Sequence, residues 1–157
     1  MTRAEWDALG EREKDAVVAE KVMGFRVVTI KPKWYRLPVQ CFYEEDSPLI
    51  AYSLDANACN AMMYRNGEDD RDGTAPPLPH YTSDESWDDL REVVDGVMGS
   101  DPPRGITGHT FWLERESAGC WVCSFWGERS AEAPTAPEAV CIAALTALGH
   151  MDPTGPR

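Results

Sequence analysis

One segment constrains this chain more than any other: Thr135-Ala-Pro-Glu-Ala-Val-Cys-Ile-Ala-Ala-Leu-Thr-Ala-Leu-Gly149. Thr135 is a ready N-cap, Pro137 falls in the first turn, Glu138 follows the cap by three residues, and Gly149 closes the run. These signals spell one helix with both ends specified. Between the caps the body is rich in alanine and apolar on nearly every side. Such a helix has no face to offer water, so it must lie inside a core that other elements build around it. Only the cap, residues 135–138, is left to face a ligand.

The rest of the chain supplies partners for that helix. Thr2 and Glu5 have capping-box spacing, so a helix starts near residue 3. Gly10 kinks or ends it, helical spacing resumes at Glu11, and Gly24 closes a broken helix, or two in series, over residues 3–23. Residues 25–30, 39–43 and 49–52 are short β-branched or aromatic runs that read as strands. Residues 66–79 are a polar, Gly/Pro-rich loop. Thr82 and Glu85 again have capping-box spacing and open a helix whose Trp87, Leu90, Val94, Val97 and Met98 share a face, a stripe that belongs in the core. Asp84, Glu85, Asp88 and Asp89 suit the positive end of its dipole. Residues 111–116 and 120–126 form an antiparallel hairpin across 117–119, and residues 127–134 lead into the last helix.

This order predicts an α+β fold, a small α/β sandwich in which an antiparallel-rich sheet is packed by an N-terminal, a middle and a C-terminal helix. A chain of 157 residues suffices for one such domain. It is taken as residues 1–150, with a variable insert at 31–78 and a flexible tail at 151–157.

Composition removes several function classes. A hydrophobic content of 43% with six tryptophans argues against disorder. No run reaches the roughly 18 apolar residues of a membrane span. The mixed-charge start does not read as an export signal, so a cytoplasmic protein with reduced thiols is expected from its five cysteines. The net charge of −12 opposes binding to nucleic-acid backbones. It fits a soluble protein, or one that mimics the charge of DNA to occupy a DNA-binding enzyme.

Motifs for chemistry are sparse. Cys120-Trp-Val-Cys123 has the spacing of redox pairs and zinc knuckles, but it sits in a strand pattern, where positions i and i+3 face opposite ways. His80, His109 and His150 are too scattered to complete a metal site. Glu68, Asp70, Asp72 and Gly73 follow the first half of a calcium loop, yet the twelfth position is Pro79 instead of a bidentate glutamate. No G-x-S-x-G, P-loop or G-x-G-x-x-G is present. The expectation is therefore no enzyme, no catalytic residue, no metal and no cofactor. Trp112, Trp121 and Trp126 lie on the hairpin. They pack in the core if helices cover both sheet faces, and form an aromatic platform if one face is open.

One island breaks the acidic character. Residues 26–36 hold Arg26, Lys31, Lys33 and Arg36 with no acid, and include Trp34 and Tyr35. Removing its +4 from −12 leaves −16 for the remainder. Cations beside aromatics are what a phosphate-and-base ligand needs: charge-assisted bonds for the phosphate, stacking for the base. A small nucleotide needs only a local patch, so the global charge is no obstacle. The competing reading is a basic strand neutralised by Glu44, Glu45 and Asp46.

Three segments resemble a known family when taken together. They are Leu9-Gly-Glu-Arg-Glu-Lys-Asp-Ala-Val-Val-Ala-Glu-Lys-Val-Met-Gly-Phe25, Pro79-His-Tyr-Thr-Ser-Asp84 with Trp87, and the stretch from Trp121 through Thr135-Ala-Pro-Glu-Ala-Val-Cys-Ile-Ala-Ala-Leu145. This pattern is similar to the phage ABA-sandwich-domain family, small proteins of bacteriophages and prophages. The resemblance covers about two thirds of the chain and leaves 31–78 without a counterpart. It implies an α/β sandwich, a phage origin and residence in the host cytoplasm; it implies no reaction. By analogy with small phage proteins that counter bacterial defences, the expected function is binding or sequestering a small nucleotide-type host signal. The pocket would lie near the island 26–36 or at a protomer interface of a homo-oligomer. The alternatives are an acidic inhibitor that docks on a host protein and, third, a nucleotide-degrading enzyme.

Overall fold

A computed structural model of the chain describes residues 1–30, 39–43, 51–53, 78–84, 87–102, 110–116, 118–127 and 129–152. The described residues form an α+β fold with helices α1 (Arg3–Asp7), α2 (Glu11–Lys21), α3 (Trp87–Met98) and α4 (Ala136–Ala147). Strands β1 (Arg26–Ile30), β2 (Val39–Tyr43) and β3 (Ala51–Ser53) make one antiparallel sheet in the order β1-β2-β3. Strands β4 (Phe111–Arg115), β5 (Trp121–Phe125) and β6 (Arg129–Ala133) make a second, in the order β4-β5-β6. The chain divides into two compact units, residues 1–23 with 80–157, and residues 24–79.

The first unit is organised around α4. Every residue of this helix except Glu138 is buried. It packs against β5 and β6, and also against α2 and α3. Alanines at 139, 143, 144 and 147 keep it thin enough for neighbours to approach on all sides. Its start follows the expected chemistry in part. Thr135 is the N-cap and its Oγ1 accepts from the Glu138 N–H at 3.4 Å. Glu138 does not return the bond as a capping box would; its carboxylate is used elsewhere, as described below. Ala136 and Pro137 are buried as well, so the cap is not the exposed ligand-facing end that the sequence led us to expect.

The far end closes as a Schellman motif. The His150 N–H donates to the Leu145 carbonyl at 2.8 Å and the Gly149 N–H to the Thr146 carbonyl at 3.1 Å, with Gly149 at φ 77°. Met151 and Asp152 are held against the first residues of the chain, and residues 153–157 lie outside the described residues. The Met151 side chain is 3% exposed, the Asp152 N–H donates to the Met1 carbonyl, and the N-terminal ammonium donates to the His150 carbonyl.

The N-terminal helix is broken as expected. Thr2 and Glu5 form a capping box on α1. Gly10 is the N-cap of α2, its N–H held by the Glu13 carboxylate at 2.8 Å. The middle helix departs from expectation in its buried face. It is described from Trp87, and Glu85, where the expected capping box would close, lies outside the described residues. Its buried stripe is Leu90, Val93 and Val97, while Trp87 is 52% exposed. At 100° per residue, Val93 and Val97 sit on one side of Leu90, and Trp87 and Val94 on the other. The buried arc is centred on the Val93 side, which turns Trp87 outward.

In the second sheet, β6 is an addition to what the sequence indicated for 127–134. Its Arg-Ser-Ala-Glu-Ala composition has low strand propensity, but Ala131 and Ala133 alternate with Glu132 and are buried while Glu132 is exposed. On the central strand β5, Val122, Cys123, Ser124 and Phe125 are all buried, so both faces are covered there. Trp126 is buried and Trp121 half-buried, which matches core packing for these two. Trp112 on β4 is 41% exposed. Trp126 and Gly127 turn the chain from β5 toward β6 with both residues at positive φ, 60° and 80°.

The fully buried Leu145 gives a direct measure of this core. Leu145→Ala is expected to lower unfolding free energy by about 2–5 kcal/mol. Trp87→Ala should change it by no more than about 0.5 kcal/mol. Urea denaturation followed by far-UV circular dichroism measures both.

Candidate functional site

The densest cluster of ionisable groups in the first unit begins on α2. Its residues 15, 18, 19 and 22 follow the i, i+3, i+4, i+7 rule and share a face. Val18 and Ala19 are buried there as expected, and so is a charged residue, Asp15, at 0% exposure. A carboxylate without water needs its oxygens hydrogen-bonded. Asp15 Oδ1 accepts from the Thr82 N–H at 3.0 Å and from the Thr82 hydroxyl at 2.8 Å. Asp15 Oδ2 accepts from Arg12 Nη1 at 2.8 Å. Thr82 thus gives both its donors to Asp15.

Arg12 also reaches His80, with Nη1 3.1 Å from the His80 Nδ1. A guanidinium only donates, so Nδ1 is the acceptor and the ring proton sits on Nε2. Arg12 therefore bridges Asp15 and His80, whose own separation is 3.8 Å. The His80 N–H donates to Asp89 Oδ2 at 2.9 Å. Beside the turn, the Cys141 thiol of α4 donates to the Tyr81 carbonyl at 3.4 Å. Residues 80–82 are held in this way from α2, α3 and α4 together.

A second cluster joins α1, α2 and α4. Glu138 Oε1 accepts from Lys14 Nζ at 2.6 Å and from the Trp6 indole N–H at 3.2 Å. Lys14 Nζ lies 5.4 Å from the Trp6 ring centroid, a cation–π distance. Trp6 is fully buried, so its polar atom needs this acceptor. Here lies the destination of the Glu138 carboxylate.

These constellations fasten the fold. Both Asp15 oxygens are engaged and the residue is sealed from solvent. Burial pushes the Cys141 thiol well above its ordinary value, with Asp15, Cys123 and Glu138 adding in the same direction. Burial alone pushes the Cys123 thiol up to about 12. Cys120, Cys123 and Cys141 are all free thiols, and only Cys120 is partly exposed. Cys120 borders a shallow cleft of about 380 Å³ together with Arg3, Gly119 and Glu132. Arg3 is committed at this cleft, through Nε to Asp7 Oδ1 and through Nη1 to the Glu132 carbonyl. Among the described residues no group of three or more His, Cys, Asp or Glu is placed to hold a metal.

Of the residues nominated from sequence, Arg26 is exposed at the start of β1, paired with Tyr43. Lys31, Lys33, Trp34, Tyr35 and Arg36 lie outside the described residues, as do the acidic positions 44–46 and 68–73 and His109. Asp15, Arg12, His80, Thr82, Lys14 and Glu138 were not nominated for a polar network. The signal for Asp15 was present: a carboxylate on the apolar face of α2, three residues after an arginine. The chain matches no protein-family model, no curated protein and no solved structure.

Two measurements check this site. Asp15→Asn keeps the shape but removes the charge shared by Arg12 and Thr82, and is expected to cost about 2–3 kcal/mol of stability by chemical denaturation. Alkylation of the native protein with iodoacetamide at pH 8.5 should label Cys120 and spare Cys123 and Cys141, because Cys123 remains a thiol until near pH 12 and Cys141 is sealed. Peptide mass mapping reads the outcome.

Proposed function

We propose that this protein acts by binding rather than by catalysis, as a bacteriophage accessory protein that sequesters a small nucleotide-type signal of its host on the segment 26–36. The observation that carries this reading is the register of β1 against β2. Ile30 pairs with Val39, and Arg26 pairs with Tyr43. The sequence between the paired ends, residues 31–38, contains Lys31, Lys33, Trp34, Tyr35 and Arg36 and no acid. The sequence thus sets three cations and two aromatics between these two strands, with exposed Arg26 at the start of β1. Lysine and arginine donate charge-assisted bonds to phosphate, and the aromatic rings offer stacking planes for a base.

The non-catalytic part of this reading is supported by the state of the ionisable groups in the first unit. Asp15 and Glu138 are tied into structural bonds, and Cys123 and Cys141 are buried neutral thiols. The phage origin rests on the resemblance of the three sequence motifs. A second reading, an acidic surface that docks on a basic host protein, is favoured by α3. There Asp88, Glu92 and Asp95 occupy the exposed side, opposite the buried stripe.

Isothermal calorimetry with a panel of cyclic and ADP-ribose-type nucleotides tests the first reading. At least one member should bind, and the double substitution Arg26→Glu with Arg36→Glu should weaken it by about tenfold or more. Recovery of the intact nucleotide by chromatography separates sequestration from degradation. The absence of heat with every member sinks the nucleotide reading. Salt-sensitive association with a basic protein would then support the second.

A further inference from the structure

The ladder geometry of the β4-β5-β6 sheet shows which backbone groups of β4 face outward. The Trp126 N–H donates to the Thr110 carbonyl at 2.6 Å, and the Glu116 N–H donates to the Cys120 carbonyl at 2.9 Å. Both pairs continue the register in which Phe111 faces Phe125 and Arg115 faces Trp121. In an antiparallel ladder, residues that exchange hydrogen bonds with the neighbour alternate with residues whose amides point away. The even-numbered residues of β4 therefore bond inward to β5. Phe111, Leu113 and Arg115 turn their N–H and C=O groups to the free edge.

The opposite edge is treated differently. Because Val122 and Ser124 bond toward β4, the odd residues of β5 bond toward β6, which leaves Ser130 and Glu132 facing outward in the register of that pair. The Glu132 carbonyl is taken by Arg3 Nη1 at 2.7 Å. A side chain thus blocks the β6 edge, as natural sheets commonly arrange. Nothing among the described residues occupies the outward groups of β4. That strand is exposed except for half-buried Leu113, and it carries Phe111 at 36% and Trp112 at 41% exposure.

We propose that β4 pairs antiparallel with β4 of a second copy of this chain, about a two-fold axis at Leu113, joining the two three-stranded sheets into one. This register brings Phe111 opposite Arg115 of the second copy, Trp112 opposite Glu114, and Leu113 opposite Leu113. The outward groups at 111, 113 and 115 then meet one another, so every orphan donor and acceptor of the edge finds a partner. The side-chain pairs are complementary. Each arginine lies beside a phenylalanine ring, each glutamate beside an indole, and no like charges are opposed. Moving the axis to Glu114 sets that carboxylate against its own copy. Moving it to Trp112 carries Arg115 beyond the paired strand.

Sedimentation equilibrium of the intact chain, from micromolar to near-millimolar concentration in physiological salt, tests this pairing. The expected species has twice the 17.5 kDa mass. Leu113→Lys and Leu113→Glu each place like charges face to face at the axis and should each weaken the dimer by about tenfold or more. An equimolar mixture of the two variants should restore it, since lysine then faces glutamate. Amide exchange by nuclear magnetic resonance gives a readout without substitution. The N–H groups of Phe111, Leu113 and Arg115 should gain protection only at concentrations where the dimer forms, while those of Trp112 and Glu114 are protected throughout. A wild-type chain that stays monomeric over the whole range overturns the proposal, and uptake of a strand from another protein by that monomer would assign the edge to a different occupant. So does a Leu113→Lys protein that dimerises as the wild type does, or a folded mixture that stays monomeric.

Discussion

The burial of α4 is the constraint on which the first unit depends. A helix closes its own backbone hydrogen bonds except at its ends, so a fully apolar one can be enclosed cheaply if those ends are handled. Here the N-terminal end is handled by Thr135 and the C-terminal end by the Schellman turn at Gly149. The body then needs cover on several sides. β5 and β6 provide it on one side, and α2 and α3 on others. Alanine at so many α4 positions is what lets a sheet and several helices approach one short cylinder without leaving voids. The elements that enclose α4 come from the two ends of the chain and its middle, so its burial unites segments far apart in sequence.

The one residue of α4 that is not buried explains how this union is held. Glu138 faces α1 and α2, where it meets Trp6 and Lys14. A capping-box glutamate would satisfy its own helix; this one satisfies the indole of a neighbouring helix and a lysine of another. Asp15 plays the matching part on α2. Its burial would be costly alone, and it is made tolerable by three donors from Thr82 and Arg12. In return it fixes the turn at residues 80–82, where the chain re-enters the first unit after residues 24–79. Removing one partner from such a network leaves the others buried and unsatisfied. That asymmetry favours a structural role for Asp15, because a general base needs a lone pair open to its substrate.

What was legible in the sequence follows from which interactions are local. Caps and periodicity are local, so α1, α2, the hairpin β4-β5 and both ends of α4 could be read directly. The strands β1 and β2 were legible from β-branched and aromatic runs. The misreadings share one cause, competition from tertiary partners for groups that have a plausible local use. Glu138 had capping-box spacing with Thr135, but Trp6 and Lys14 claimed its carboxylate. Trp87 extends an apolar stripe on paper, yet the arc that meets α4 is centred on Val93, and a shift of a few tens of degrees exposed the largest side chain in it. β6 was hidden because Ala, Ser and Glu carry little strand propensity; pairing with β5 and burial of Ala131 and Ala133 override that.

The first unit has thus spent several of its ionisable groups on its own fold. Its carboxylates at 15 and 138 are bonded, its arginines at 3 and 12 are bonded, and the thiols at 123 and 141 are sealed. Chemistry requires groups held ready but unoccupied, and these are occupied. The described residues also hold a resource of another kind. The outer edge of β4 offers backbone donors and acceptors with aromatic side chains beside them, which is a surface for a strand.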